Sequence, residues 1–214
     1  MKSTSADGPN KHQLKTAATL RSLLDAAERV FVRDGYERAQ METIAAEAQR
    51  TKGAVYAHFR SKEDIFFALL ERKGKARRDA FLGSAEGMDL KQRRAIVKKM
   101  FLATLADESW PILMLEFKLF ALRNKASLQR IRDLYQLVYD DMGKVLLSER
   151  PATARSRESE MLALAVLRGM PSAIILEKQF HPAFQSPDST RQVFDAIFDA
   201  LLEIGSDPST PAST

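Results

Sequence analysis

A chain of 214 residues, 45% apolar and 29% charged, is long enough for one compact helical domain or a small head on a larger body, and too apolar for a disordered protein. It contains no cysteine, which excludes disulfide staples, thiolate metal sites and cysteine nucleophiles and fits a reducing, cytoplasmic setting. Its net charge of +5 lies wholly in residues 1–80, where sixteen Lys/Arg face eleven Asp/Glu, and the remainder is balanced at seventeen of each. A polyanion-binding head on a neutral body has this distribution.

Met1 to His12 is polar, contains Gly8 and Pro9, and reads as a mobile basic arm. No apolar stretch follows Lys2, Lys11 and Lys15, so no secretory leader is expected. Leu20, Leu23, Leu24, Ala27 and Phe31 fall at helical spacing, and Asp34-Gly35 ends that helix. Two short helices follow, one with Met41, Ile44, Ala45 and Ala48 on a face, the other from Lys52 with Val55, Tyr56 and Phe59. Ser61-Lys62-Glu63-Asp64 opens a longer helix through Ile65, Leu69 and Leu70 that fades by Gly83.

Asp89 with Gln92 caps a helix to about Asp107, and Ser109 with Pro111 starts another to about Asn124. A long helix runs from Ser127 to about Glu149, where Pro151 stops it. The next, Arg157 to about Gln179, carries Pro171 inside it and is expected to kink there. Asp188 caps a last helix ending near Gly205. The segments 112–122 and 161–176 are interrupted by Glu116, Lys118, Arg168 and Pro171, short of the ~18 uninterrupted apolar residues of a membrane span, so no membrane partner is expected.

The fold class is therefore all-α, with about nine helices at these spacings. The expected organisation is a flexible arm over 1–13, a DNA-binding domain over 14–82 with a helix-turn-helix at about 40–59, a helical effector-binding and dimerisation domain over 83–205, and a disordered tail over 206–214.

Two short helices joined by a tight turn behind a longer one are what a helix-turn-helix requires. In the second of them, Val55 and Phe59 are four apart and turn inward, leaving Lys52, Gly53, Ala54, Ala57 and His58 outside. Gly53 and Ala54 let the backbone approach base edges, and Lys52 can reach guanine O6 and N7 or a phosphate. Thr51 suits the N-cap, at an end of the helix that favours phosphate oxygens.

The runs Ile44-Ala45-Ala46-Glu47-Ala48, Thr51-Lys52-Gly53-Ala54-Val55-Tyr56-Ala57-His58-Phe59 and Ser61-Lys62-Glu63-Asp64-Ile65 closely resemble the tetracycline-repressor (TetR) family of bacterial regulators. The resemblance covers about Leu20 to Leu70. It implies that Tyr56, His58 and Lys62 hold phosphates while Lys52, Gly53, Ala54 and Ala57 face bases. It also implies a dimeric repressor that leaves a palindromic double-stranded operator when a small effector tilts the Ser61–Leu82 helix and spreads the two heads. Two positions depart from the family pattern. Gln49 stands where a turn glycine is usual, at a strain of about 1 kcal/mol if its φ is positive. Gln40 replaces the usual Ser/Thr cap.

For homodimerisation, the last two helices offer Ala165, Gly169 and Ala173 as a small-residue stripe, with Phe194, Phe198 and Leu201 beside it. An intrachain core has the same pattern. An apolar or amphipathic effector would find Trp110, Met114, Phe117, Phe120, Tyr135, Tyr139 and Met170, with Glu116 as a counter-charge for a cation; an ordinary core also looks like this. Histidines 12, 58 and 181 lie far apart, without a metal-ligand pattern, and there is no nucleophile elbow or phosphate-binding glycine loop. An enzyme is not expected, and neither a cofactor nor a metal. The competing reading is a DNA-binding regulator or architectural protein controlled by protein partners, with no small-molecule effector.

Overall fold

In a computed structural model of the chain, residues 10–85, 87–147 and 154–203 are described, except for the side chains at 12, 85, 138–147, 154–157, 159–160, 183, 185 and 202–203. The expected tail over 206–214, most of the expected arm and the Tyr139 side chain lie outside the described residues. Among those described, all regular structure is helical: α1 (Lys11–Asp34), α2 (Met41–Glu47), α3 (Lys52–Tyr56), α4 (Lys62–Ala85), α5 (Leu90–Ala106), α6 (Ser109–Arg123), α7 (Lys125–Leu147), α8 (Ala154–Lys178) and α9 (Pro187–Glu203), with a 3-10 turn at Pro182–Gln185. Two compact units divide between Lys73 and Gly74, inside α4 rather than at 82/83.

In the first unit α1 starts well before Leu20. The Asn10 side chain accepts from the Gln13 N–H and the Gln13 side chain from the Asn10 N–H, both at 2.9 Å, a reciprocal cap that draws Lys11 to Gln13 out of the expected arm and into the helix. The other end stops at Gly35, whose φ of 79° is open to glycine and whose N–H donates to the Phe31 carbonyl at 3.0 Å. One face of α1, including Leu23, Ala27, Val30 and Phe31, is buried, α1 packs on α2, and Ile44, Val55 and Ile65 of the following helices are buried with it. Phe31, Tyr36 and Phe66 form the aromatic centre, with ring centroids 5.3–5.7 Å apart. Ion pairs surround this core: Arg29 and Arg33 reach Glu47 at 2.8 and 3.3 Å, and Arg72 reaches Asp25 at 2.6 Å and Glu28 at 3.2 Å. Each exposed pair contributes at most about 1 kcal/mol, so they orient the helices more than they stabilise them.

Gln40 precedes α2 with no side-chain hydrogen bond, as its chemistry suggests. The turn after α2 is closed by the Gln49 N–H on the Ala46 carbonyl at 3.0 Å and the Arg50 N–H on the Ala45 carbonyl at 2.9 Å. It holds Gln49 at φ 53°, the left-handed position that its place in the turn requires. Gln49 is exposed, so Gln49→Gly removes strain without removing packing. A gain of roughly 0.5 kcal/mol is expected, the relieved strain being partly offset by glycine's larger unfolded-state entropy; a urea melt measures it.

The second unit packs α8 at its centre, against α5, α6, α7 and α9. The Asp89–Gln92 cap forms as expected, at 2.8 and 3.0 Å. Two other helix starts shift. Asn124 accepts from the N–H groups of Ala126 and Ser127 at 3.1 Å, so α7 begins at Lys125. Ser186, not Asp188, caps α9: its hydroxyl accepts from the Ser189 N–H at 3.3 Å, with Pro187 as first helical residue. The helix α8 continues through Pro171 without one of its backbone bonds, and next to it the Ser172 hydroxyl donates to the Pro111 carbonyl at 2.8 Å. Phe194 and Phe198 are buried inside this unit with Phe81, Leu167 and Met170, and Leu201 packs against the same cluster. Phe194 and Phe198 thus belong to the intrachain core, and Leu201 borders it. The apolar residues that α8 and α9 leave exposed are others: Leu162, Val166, Ala173 and Leu176, with Val193 and Ile197.

Candidate nucleic-acid interface

The helix α3 has five residues, too few to be stable alone, and is made by its ends and its anchors. The Thr51 hydroxyl accepts from the Ala54 N–H at 3.2 Å, closing the N-terminus. Val55 and Phe59 are 0% and 6% exposed and fix which way the helix faces. That orientation leaves Thr51, Lys52, Gly53, Tyr56, Ala57 and His58 exposed and Ala54 half-exposed. Seven of the eight residues expected to meet DNA therefore lie on one short surface.

The interior of the protein does not account for Gly53. A Cβ built there would meet only the Thr51 Oγ1, at 3.9 Å, and its φ is not positive. With Ala54 and Ala57 it forms a low strip that admits another surface closely.

Lys52 does not extend freely from this strip. Its ammonium lies 2.5 Å from Glu42 Oε1, across the turn in the first helical turn of α2, and 5.6 Å from the centre of the Tyr56 ring. The hydrogen bond from Lys52 holds the Glu42 carboxyl below the usual carboxylate range, and Glu42 in turn raises Lys52. Nothing in the spacing of Glu42 marks it in the sequence: the two residues are ten apart, on different helices.

Lys62 turns its ammonium toward the protein's own backbone. Its ammonium donates to the carbonyls of Glu37, Tyr36 and Ala39 at 2.6, 3.0 and 3.5 Å and sits 4.9 Å from the centre of the Tyr36 ring. Burial lowers its pKa. The loop between α1 and α2 folds back over α4 and takes the donors of Lys62 for itself, while the Ser61 hydroxyl accepts from the Asp64 N–H at 3.2 Å to start the helix. Lys62→Met keeps the stem and removes the donors. A loss of roughly 1–2 kcal/mol is expected in a thermal melt, with the salt dependence of DNA binding unchanged. A phosphate ligand would instead flatten that slope by about one unit.

The residues expected to line an effector site fall on α6, α7 and α8, which pack on one another. Trp110 and Phe117 are buried, and Met114 and Glu116 are half-buried. Phe117 and Phe120 stack, with centroids 6.0 Å apart. Tyr135 lies under the Arg168 guanidinium at 3.5 Å, with the Lys118 ammonium 6.0 Å from the same ring. Met170 belongs to the cluster around Phe194. Among the described residues no group of acidic, histidine or cysteine side chains could hold a metal, and no helix is long and apolar enough to cross a membrane.

Comparison with known proteins bears on this surface directly. The family model for bacterial regulatory proteins of the tetR family matches residues 23–69, which contain α2, α3 and the turn between them. The nicotine-responsive transcriptional repressor HdnoR of Paenarthrobacter nicotinovorans is 28% identical over 198 residues, 89% of this chain and 97% of that one. The A-factor receptor protein of Streptomyces griseus is 46% identical over 61 residues, 28% of this chain; the matched stretch spans only 22% of that protein. In fold, the chain is similar to the transcriptional regulator FadR of Bacillus subtilis, solved with stearoyl-CoA, at a TM-score of 0.65 and 20% identity over 86% of this chain and 98% of that one. With its helix-turn-helix matched in sequence and its helical architecture matched over both units, the chain carries the DNA-binding segment of the tetR family of bacterial regulatory proteins on a helical fold shared with such regulators.

Proposed function

We propose that this protein is a homodimeric repressor, acting in the cytoplasm, which holds a palindromic operator through α3 and releases it on binding a small hydrophobic or amphipathic effector. The outward strip of α3 carries the reading. Gly53, Ala54 and Ala57 approach base edges, Lys52 reaches guanine, and Thr51, Tyr56 and His58 contact the backbone; Lys62 supports the surface from behind. Selection of bound duplexes from a random pool, followed by fluorescence anisotropy on the selected sequence, tests it. An inverted repeat with half-sites about one helical turn apart is the expected product, and indifference to sequence at all salt concentrations removes the reading.

Dimerisation rests on the exposed side of α8. Leu162, Val166, Gly169, Ala173 and Leu176 recur every three or four residues and fall on one face, and Val193 and Ile197 do the same on α9. Two such faces brought together by a two-fold axis bury apolar surface that otherwise meets water.

For the effector, HdnoR is named for its response to nicotine and the FadR structure contains stearoyl-CoA. The second unit of this chain offers polar groups of both signs beside its apolar residues: Glu116 on α6, and Lys118 with Arg168 around Tyr135. Operator affinity measured with hydrophobic amines and with acyl thioesters separates the two chemistries. Release by one class, transmitted through a tilt of α4, is expected. No change with either class favours the alternative, a regulator controlled by protein partners.

A further inference from the structure

We propose that Glu42 is a specificity-determining residue: paired with Lys52, it reads a G·C base pair, Glu42 accepting from the cytosine N4 amine while Lys52 donates to guanine O6 and N7. This rests on the reading of α3 as the DNA-recognition helix.

The pair is built on the outer surface of the helix-turn-helix and contributes little to the fold, since both side chains are more than half exposed at 62% and 51%. A carboxylate at this surface repels phosphate; it lies in the first turn of α2, where a helix favours negative charge, and it is also placed for a role that phosphate contact cannot supply. The major-groove edge of a G·C pair supplies one. It presents two acceptors on guanine and a donor on cytosine, and guanine O6 and cytosine N4 lie about 2.9 Å apart because they are themselves hydrogen-bonded. The Lys52 ammonium and Glu42 Oε1 are 2.5 Å apart, a donor and an acceptor side by side at nearly that spacing.

The ammonium has three donors. One is committed to Glu42, which leaves two for O6 and N7 of the same guanine. An A·T pair fits less well: thymine offers one acceptor, crowded by its methyl group, and one donor of Lys52 is left over. The Tyr56 ring, 5.6 Å from the ammonium, restricts where Lys52 can go, and the open space at Gly53 leaves its approach unblocked. Glu42 therefore acts twice, as an acceptor for cytosine and as the group that aims Lys52.

The test is selection from random duplexes by the full chain and by its Glu42→Ala, Glu42→Gln, Lys52→Ala and Glu42→Ala/Lys52→Ala variants. The unaltered chain is expected to select G·C at one symmetric position of each half-site. Each single variant should relax that position by on the order of tenfold, leave the other positions unchanged, and match the double variant there. Glu42→Gln keeps the size of the side chain and an acceptor oxygen but loses the charge that pairs with Lys52, so a loss shared by both Glu42 variants reflects the charge and not the shape. Unchanged preference in the Glu42 variants overturns the proposal, as does selection of A·T at the position that Lys52→Ala relaxes. A chain that selects no sequence at all overturns the DNA-recognition reading itself, which is a different and recognisable result.

Discussion

Gly53→Ala raises the melting temperature and weakens operator binding, two effects of opposite sign from one methyl group, and Gly53→Leu extends the second to a loss of roughly 10- to 100-fold. The stability gain follows from helix propensity. Glycine inside a helix costs about 1 kcal/mol relative to alanine, and nothing at this position demands it. The added Cβ meets only Thr51 Oγ1 at ordinary contact distance, and the backbone is in a region that any residue adopts. The binding loss follows from where the side chain then points, outward from the strip of Ala54 and Ala57 and into the space a base pair occupies. A residue that is wrong for the helix and right for the groove should separate folding from function. Differential scanning calorimetry and anisotropy on the same samples measure both. A leucine variant that binds the selected operator with unaltered affinity places the contact surface elsewhere.

Val166→Glu should convert the dimer to a monomer and lower operator affinity by at least ~100-fold, the usual scale of avidity lost when two linked heads become independent. Val166 is 50% exposed in the isolated chain, so a carboxylate there leaves the monomer's own core intact. In the proposed dimer the same carboxylate is carried onto an apolar partner face, and desolvating it costs several kcal/mol. Light scattering on a sizing column reads the mass and anisotropy reads the affinity. A variant that stays dimeric at micromolar concentration moves the interface off α8. Phe198→Glu, in contrast, should unfold the second unit, because Phe198 is 2% exposed and packs within the chain.

The contrast between Val166 and Phe198 marks how far the sequence can be read. Apolar spacing locates a buried face on α9, and Phe194, Phe198 and Leu201 lie on it. The spacing does not say whether the same chain or a second one covers that face, because both leave the same pattern. The inward turn of Val55 and Phe59 and the positive φ of Gln49 were legible, because each follows from local geometry within a few residues. The early start of α1 is obscured because Lys11 and Gln13 to Ala18 lie exposed and show no apolar period; the signal is the Asn10–Gln13 cap. The contacts of Lys62 and Glu42 are not legible in the sequence, for one reason. Their partners lie on other segments, at separations set by how a turn folds back, and a lysine in a string of residues carries no mark of which way its ammonium will go.

The brevity of α3 has a thermodynamic consequence. A single and partly glycine-built turn of helix cannot persist once Val55 and Phe59 leave their sockets, so the ability to recognise a sequence disappears at the same moment as the cooperative structure around it. Recognition and folding then share one equilibrium: operator DNA acts as a folding ligand for the head, and its occupancy raises the temperature at which that unit melts by an amount set by the free duplex concentration relative to its dissociation constant.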